Sequence, residues 1–150
     1  MNRNRYLKKA VLTDLESKMV LVGEPRQVGK TTLALQLLKG GNKTHPAYLN
    51  WDVSAHREAI LNNQLPAEQS LIIFDEIHKF ARWRNFLKGI FDQLELGPTL
   101  RILVTGSARL DHYRKGGDSL QGRYHYHRLH PFTLCELNQK PTQVDVEHLM

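Results

Sequence analysis

One short stretch of the chain combines the residue types that bind phosphate. The apolar run 19–22 is followed by a loop that ends in Gly29, Lys30 and Thr31, and an amphipathic segment comes next. Where a loop joins a strand to a helix, backbone N–H groups and the positive end of the helix dipole converge on one point. The lysine adds a point charge for the β- and γ-phosphates, and the threonine hydroxyl can ligate Mg2+. The stretch therefore predicts a site for ATP with Mg2+.

The loop departs from the usual spacing at its first position. In the pattern G-x-x-x-x-G-K-T the first glycine falls at position 24, where this chain has Glu24, and Gly23 is one residue early. We interpret the loop as a variant, because its Gly-Lys-Thr part at the strand-to-helix junction is intact. Glu24 puts an anion near the phosphates and weakens nucleotide binding unless its side chain turns away. The residues expected to contact the nucleotide are Glu24, Pro25, Arg26, Gln27, Val28, Gly29, Lys30, Thr31, Thr32 and Ser107.

Two adjacent carboxylates end a second apolar run. Residues 71–74 are Leu-Ile-Ile-Phe, and Asp75 and Glu76 follow them. In an open α/β sheet the carboxyl ends of the strands line the ligand crevice, so both carboxylates should lie at the edge that carries the phosphate loop. We expect Asp75 to hold Mg2+ with Thr31, and Glu76 to orient and deprotonate the attacking water. The alternative is that they only begin a loop or cap the next helix.

Further polar and basic residues are candidates for the transferred phosphate. The run 101–104 leads into Thr105, Gly106 and Ser107, where a hydroxyl could sense the γ-phosphate; the alternative is a turn without ligand contact. Fast phosphoryl transfer also needs a cation, often an arginine from a neighbouring subunit. Arg109 and Arg123 are the candidates beside Lys30, and the alternative is that each is a surface or ion-pairing residue.

The elements that must position these residues alternate between buried strands and amphipathic helices. Strands are predicted for the short apolar runs at 19–22, 47–51, 71–74 and 101–104, and the stretch 124–129 is a fifth candidate. Helices are predicted at about 3–14, 31–39, 55–61 and 82–94. This alternation predicts an α/β domain, a three-layer sandwich in which a mostly parallel sheet is covered by helices on both faces.

Taken together, the motifs resemble the prokaryotic AAA+-like predicted ATPases, in which a P-loop core is usually followed by a C-terminal domain. The resemblance spans nearly the whole chain and rests on the stretches 23–32, 48–52, 74–79, 104–111 and 117–124. It implies a P-loop NTPase sheet of five strands in the order 5-1-4-3-2, an ATP-Mg2+ ligand, and a motif around Arg123 that approaches the nucleotide or a neighbouring subunit. On this resemblance the C-terminal end is truncated, and the second domain is missing or separate.

Composition sets the wider limits. The chain has 150 residues, of which 41% are hydrophobic and 24% charged, so we expect one globular domain over 1–150 with its core at about 18–130. Its apolar runs are far shorter than the roughly 20 residues that span a bilayer. Neither a membrane partner nor an export signal is expected, and a single cysteine fits a reducing compartment, so the predicted location is the cytoplasm.

Three functions remain open from the residues alone. The leading hypothesis is an ATPase, with self-association if an arginine acts in trans. The second is a nucleotide-dependent binding switch with little turnover, which Glu24 and the missing C-terminal part favour. The third is a DNA-associated protein with incidental ATP binding. Only the net charge of +6 favours the third, and the basic residues are spread along the chain, so nucleic acid is weakly supported as a partner.

Overall fold

The computed structural model describes residues 4–23, 25–94, 100–107, 110 and 120–137. Within these ranges no helix has the length and apolar character needed to cross a membrane. The elements in chain order are α1 (Lys8–Asp14), β1 (Met19–Gly23), α2 (Lys30–Leu35), β2 (Tyr48–Asn50), α3 (Ser54–Leu61), β3 (Leu71–Asp75), a 3-10 helix (Ile77–Lys79), α4 (Trp83–Leu94), β4 (Arg101–Thr105) and β5 (Tyr124–Arg128).

Two helices are shorter than the sequence predicted. Helix α1 begins at Lys8, because residues 4–7 form an irregular stretch and a turn before it. Helix α2 ends at Leu35, whereas the sequence pattern continued to 39. There the backbone bonding tightens: Leu37 N–H donates to Ala34 O at 3.1 Å and Leu38 N–H to Leu35 O at 3.2 Å, which is the i to i−3 pattern of a 3-10 turn.

The sheet is parallel throughout and has the order β2-β3-β4-β1-β5. This is the order 5-1-4-3-2 counted from the other edge, so the strand order that the resemblance implied is confirmed. The register pairs Val22 with Thr105, Thr105 with Asp75, and Asp75 with Asn50. The carboxyl ends of β1, β4, β3 and β2 therefore meet at one edge, which we call the carboxyl edge of the sheet.

Helices cover both faces of the sheet, as predicted. Successive side chains of a strand point to opposite faces, and the strands β1, β3 and β4 are apolar except at their ends. Val20 and Val22 of β1 pack with α1 and α2, and Met19 and Leu21 pack on the other face with α3 and α4. The molecule is thus a three-layer α/β sandwich, and a strand buried on both faces needs the continuous apolar runs seen in the sequence.

Gly23 has a packing role at the end of β1. Strand β5 lies beside β1, and a Cβ atom added to Gly23 would overlap the hydroxyl of Tyr126. Gly23 lies one position before the expected first glycine of the loop. Its lack of a side chain is therefore needed for the packing of β5 against β1.

We expect Gly23→Ala to lower the free energy of unfolding by about 1–3 kcal/mol, because the added methyl group must displace Tyr126. Gly89→Ala is the control, since a Cβ at Gly89 in α4 meets nothing within 4 Å and alanine favours a helix by up to about 1 kcal/mol. Urea denaturation of both variants measures the difference. Equal stability of Gly23→Ala and the parent would show that the contact with Tyr126 is loose.

Candidate functional site

Among the described residues of the loop between β1 and α2, at positions 25–29, two have a left-handed backbone. Gln27 has φ 67° and Gly29 has φ 89°, a conformation that glycine adopts without strain. Val28 between them is buried in the core, whereas Pro25, Arg26 and Gln27 are exposed. No side chain caps the start of α2 at Gly29. The first N–H groups of a helix have no intrahelical partner, so this start can bind an anion.

Lys30 lies inside the loop. Its side chain is buried with 8% of the residue exposed, and Nζ donates a 2.6 Å hydrogen bond to the backbone oxygen of Pro25. The first residue of α2 thus reaches back to the beginning of the described loop. The ammonium group therefore lies against the backbone of the loop between β1 and α2, and its role in binding phosphate stays a prediction.

Asp75 is the centre of a hydrogen-bond network at the carboxyl edge. It is 3% exposed, and its two carboxylate oxygens accept three hydroxyl groups from different elements. Thr31 of α2 donates to Oδ2 at 2.9 Å, Tyr48 of β2 donates to Oδ2 at 2.6 Å, and Thr105 of β4 donates to Oδ1 at 2.6 Å. The structure thereby brings together Thr31 and Asp75, the two predicted Mg2+ ligands.

The oxygen atoms of Thr31 and Asp75 fit a hard cation. Mg2+ is usually held in proteins by one or two carboxylates together with waters and phosphate oxygens, not by a complete protein cage. A hydroxyl and a carboxylate oxygen 2.9 Å apart, beside a loop suited to phosphate, match that donor set. In the part of the chain that the structure describes, no cluster of three or more His, Cys, Asp or Glu side chains could hold a metal.

Tyr48 is a site residue that the sequence analysis missed. Burial and the hydrogen bond to Asp75 raise the pKa of its phenol. The hydroxyl therefore keeps its proton and donates a hydrogen bond to the carboxylate. Asn50 Nδ2 donates to the same phenol oxygen at 3.2 Å. The signal was present but ambiguous, because a tyrosine within an apolar run reads as a packing residue.

Glu76 has a left-handed backbone, and its carboxylate lies beside one lysine and one histidine. Its φ of 58° is left-handed, and its N–H donates to Thr105 O at 2.9 Å. Its carboxylate lies 3.3 Å from Lys79 Nζ and 3.7 Å from His78 Nε2. Lys79 Nζ also donates to Asp52 Oδ2 at 2.6 Å. This hydrogen bond and the charge of Glu76 raise the pKa of Lys79, although partial burial opposes the shift. Glu76 makes no side-chain cap on the 3-10 helix, so the capping alternative does not describe it.

Ser107 is joined to Glu76 through His78. Ser107 Oγ lies 3.1 Å from His78 Nε2, and the imidazole packs against Gly106, where an added Cβ would lie 2.5 Å from Nδ1. The Thr-Gly-Ser stretch is thus built into the carboxyl edge, with Thr105 on Asp75 and Ser107 on His78. The sequence named Thr105 and Ser107 as alternatives, and it gave His78 no role.

Arg123, one of the two candidate arginines, lies away from the other candidate residues. Arg123 precedes β5, next to Met19, at the opposite edge of the sheet from Lys30 and Asp75. There it donates through Nε to Asp92 of α4 at 3.0 Å. Within its own chain Arg123 therefore does not reach the phosphate loop, and a role in a neighbouring subunit stays a prediction. Glu24 and Arg109 lie outside the described residues, as does the predicted C-terminal end beyond position 137.

The fold and the site together define a class of protein. A parallel five-stranded sheet with helices on both faces, a Gly-Lys-Thr loop after its first strand and an acidic strand end beside that loop form a P-loop NTPase-like α/β domain. A family model described as an AAA domain matches residues 16–138, and the chain belongs to this family. No curated protein matches the chain.

Tyr48→Phe should lower the free energy of unfolding by about 1–3 kcal/mol, because it removes a buried hydroxyl that donates to Asp75. Tyr6→Phe is the matched control: its hydroxyl donates to Arg128 O at 3.1 Å, but the residue is 47% exposed, so the change should stay within about 0.5 kcal/mol. The measurement is urea denaturation without nucleotide. If both variants unfold like the parent, the hydroxyl does not stabilise the network.

Proposed function

We propose that this chain binds ATP at the loop 24–32 and hydrolyses it with Mg2+. The observation that carries the proposal is the 2.9 Å hydrogen bond between Thr31 and Asp75. These residues are 44 positions apart in sequence, and the parallel topology places them side by side. A hydroxyl at a phosphate loop and a carboxylate at the neighbouring strand end are the oxygen donors that nucleotide-bound Mg2+ requires.

The residues of the proposed site have distinct tasks. The backbone N–H groups around Gly29 and at the start of α2 bind phosphate oxygens, and Lys30 leaves Pro25 O to pair with the β- and γ-phosphates. Thr31 and Asp75 hold Mg2+, which when bound neutralises charge on these phosphates. Ser107 hydrogen-bonds the γ-phosphate, because it is partly exposed, whereas Thr105 is fully buried and donates to Asp75.

Glu76 acts on the water in this proposal. The water oxygen forms a bond to the γ-phosphorus, the bond from that phosphorus to the β,γ-bridging oxygen breaks, and Glu76 takes the proton of the water. Lys79 and His78 hold the carboxylate within 3.3 and 3.7 Å, which fixes its direction. Because the carboxylate is paired with Lys79, hydrolysis requires Glu76 to turn away from Lys79 and toward the water.

The second candidate is a nucleotide-dependent switch with little turnover. Two observations favour it: Glu76 is held by Lys79, which is anchored in turn by Asp52, and Arg123 lies at the edge of the sheet that is remote from the loop. The ion pair of Glu76 with Lys79 and the distance of Arg123 from the loop both disfavour hydrolysis, and neither affects phosphate binding by the loop. The rate of phosphate release per bound ATP separates the two functions.

In the folded protein, Lys30→Ala should weaken ATP binding roughly 10- to 100-fold, since it removes a charge-assisted contact of about 1.5–3 kcal/mol. Lys39→Ala, an exposed lysine beyond the end of α2, is the control for net charge and should bind like the parent. Titration with a fluorescent ATP analogue measures both, and circular dichroism checks the fold. Parental affinity in a folded Lys30→Ala protein would overturn the phosphate-loop assignment.

Glu76→Gln should keep ATP-Mg2+ bound while slowing hydrolysis at least tenfold, because glutamine can orient the water but not accept its proton. Asp75→Asn should instead reduce the dependence of ATP affinity on Mg2+. Glu58→Gln, on the exposed side of α3, controls for the lost charge. Phosphate release is measured alongside ATP titrations with and without Mg2+. Hydrolysis by Glu76→Gln at the parental rate would refute the general-base role.

An arginine that acts in trans should make the ATPase rate per chain rise with protein concentration. Such a cation contributes roughly a thousandfold or more in related chemistry, and Arg123 is too far along the sheet to supply it in cis. Rates are measured over a wide dilution series for the parent, Arg123→Ala and Arg109→Ala. Rapid turnover that is independent of concentration and unaffected by either substitution would reject self-association as a requirement.

A further inference from the structure

Arg5 is a buried cation that joins segments far apart in the sequence. Its side chain is 1% exposed. Nη1 donates to the backbone oxygen of Val28 in the phosphate loop, Nη2 donates to the backbone oxygen of His130, and Nε donates to Glu136 Oε1 at 2.9 Å. The guanidinium also lies over the ring of Phe132, 4.2 Å from its centroid. One side chain thus contacts both the loop and the residues that follow β5.

The contacts of Arg5 use the shape of its guanidinium. A buried cation is costly unless it is paired and hydrogen-bonded, and here all three side-chain nitrogens donate to oxygen atoms. The group is planar and presents its donors in a rigid fork, whereas a lysine ammonium is a point charge on a flexible stem. The partners are therefore fixed relative to one another, and lysine cannot replace the group.

The bond to Val28 sets the direction of a neighbouring loop amide. The peptide unit is planar and trans, so the N–H of Gly29 points away from the carbonyl of Val28. Because Arg5 holds that carbonyl, the Gly29 N–H points away from Arg5. Gly29 also permits this approach: a Cβ there would lie 3.2 Å from Arg5 Nη1, at a φ of 89°. Arg5 thus orients a donor of the proposed phosphate site.

The residues 130–137, here called the post-β5 segment, are held by the same group of contacts. Glu136 accepts hydrogen bonds from Arg5, from the N–H of Tyr6 at 2.9 Å and from the N–H of Thr133 at 2.8 Å. Burial opposes ionisation, but the two N–H groups and Arg5 together lower the pKa of Glu136. A carboxylate at neutral pH therefore anchors the segment to Arg5.

We propose that Arg5 is a positioning residue that couples the phosphate loop to the post-β5 segment. Docking of the segment on Arg5 holds the loop amides in place for phosphate, and bound nucleotide in turn stabilises the docked segment, since such coupling is reciprocal. The second half of this statement rests on the proposed nucleotide binding. The first half concerns the protein without ligand and is tested separately.

The first test is amide hydrogen exchange without nucleotide, read at residues 26–33 and 130–137. Glu136→Gln changes only the segment side of the contact, yet it should speed exchange at both stretches several-fold. Arg5→Lys should do the same, and Glu136→Gln carries the test if Arg5→Lys fails to fold. Asp14→Asn is the matched control, because Asp14 pairs with His127 of β5 at 2.7 Å without contacting Arg5. Faster exchange confined to 130–137 overturns the coupling.

The second test is titration with ATP-Mg2+, supported by hydrogen exchange with ATP bound. Affinity should fall about five- to tenfold in Glu136→Gln and remain parental in Asp14→Asn, and ATP should slow exchange at 130–137 in the parent. Parental affinity in folded Glu136→Gln overturns the inference. A parent that binds no ATP instead overturns the proposed function, and loop exchange in Glu136→Gln without nucleotide then still decides whether Arg5 couples the two segments.

Discussion

The buried carboxylate of Asp75 is the constraint on which the candidate site depends. A carboxylate that is 3% exposed must be fully hydrogen-bonded, because leaving it unpaired costs several kcal/mol. Its three donors come from α2, β2 and β4. These elements satisfy the carboxylate only if their ends meet at one edge of the sheet. The same requirement that stabilises the fold therefore also brings the hydroxyl of the phosphate loop to the proposed metal ligand.

The loop is held from two sides by contacts that are remote in sequence. At the start of α2, Thr31 donates to Asp75, and within the loop the backbone oxygen of Val28 accepts a hydrogen bond from Arg5. Glycine is conformationally permissive, so anchors of this kind determine which conformation of Gly29 persists. A phosphate site needs backbone donors that are already oriented, since ordering them on binding would cost conformational entropy. The two contacts together give the loop this pre-organisation.

Parallel topology also sorts the basic residues between the two edges of the sheet. Arg123 and Arg128 flank or end the same strand, yet Arg128 lies beside Gly23 at the carboxyl edge and Arg123 lies at the opposite edge. A five-residue strand separates its ends by roughly 13 Å, which exceeds the reach of an arginine side chain. Proximity in sequence to a motif therefore says little about the edge of the sheet at which a basic residue lies, and Arg123 pairs with Asp92 of α4 at the edge remote from the phosphate loop.

The sequence by itself determined the strands, the loop and the acidic strand end, because apolar runs and a Gly-Lys-Thr junction are local patterns. It also indicated that Thr31 and Asp75 meet, since parallel strands share a carboxyl edge. Only the tertiary structure decided the roles of Tyr48, His78 and Arg5, because each forms hydrogen bonds with residues that lie 23 to 131 positions away. The presence of a tyrosine or an arginine in a sequence does not reveal its register in the sheet or its hydrogen-bond partner. Those follow from strand pairing and from the need to satisfy buried charge, which are properties of the whole fold.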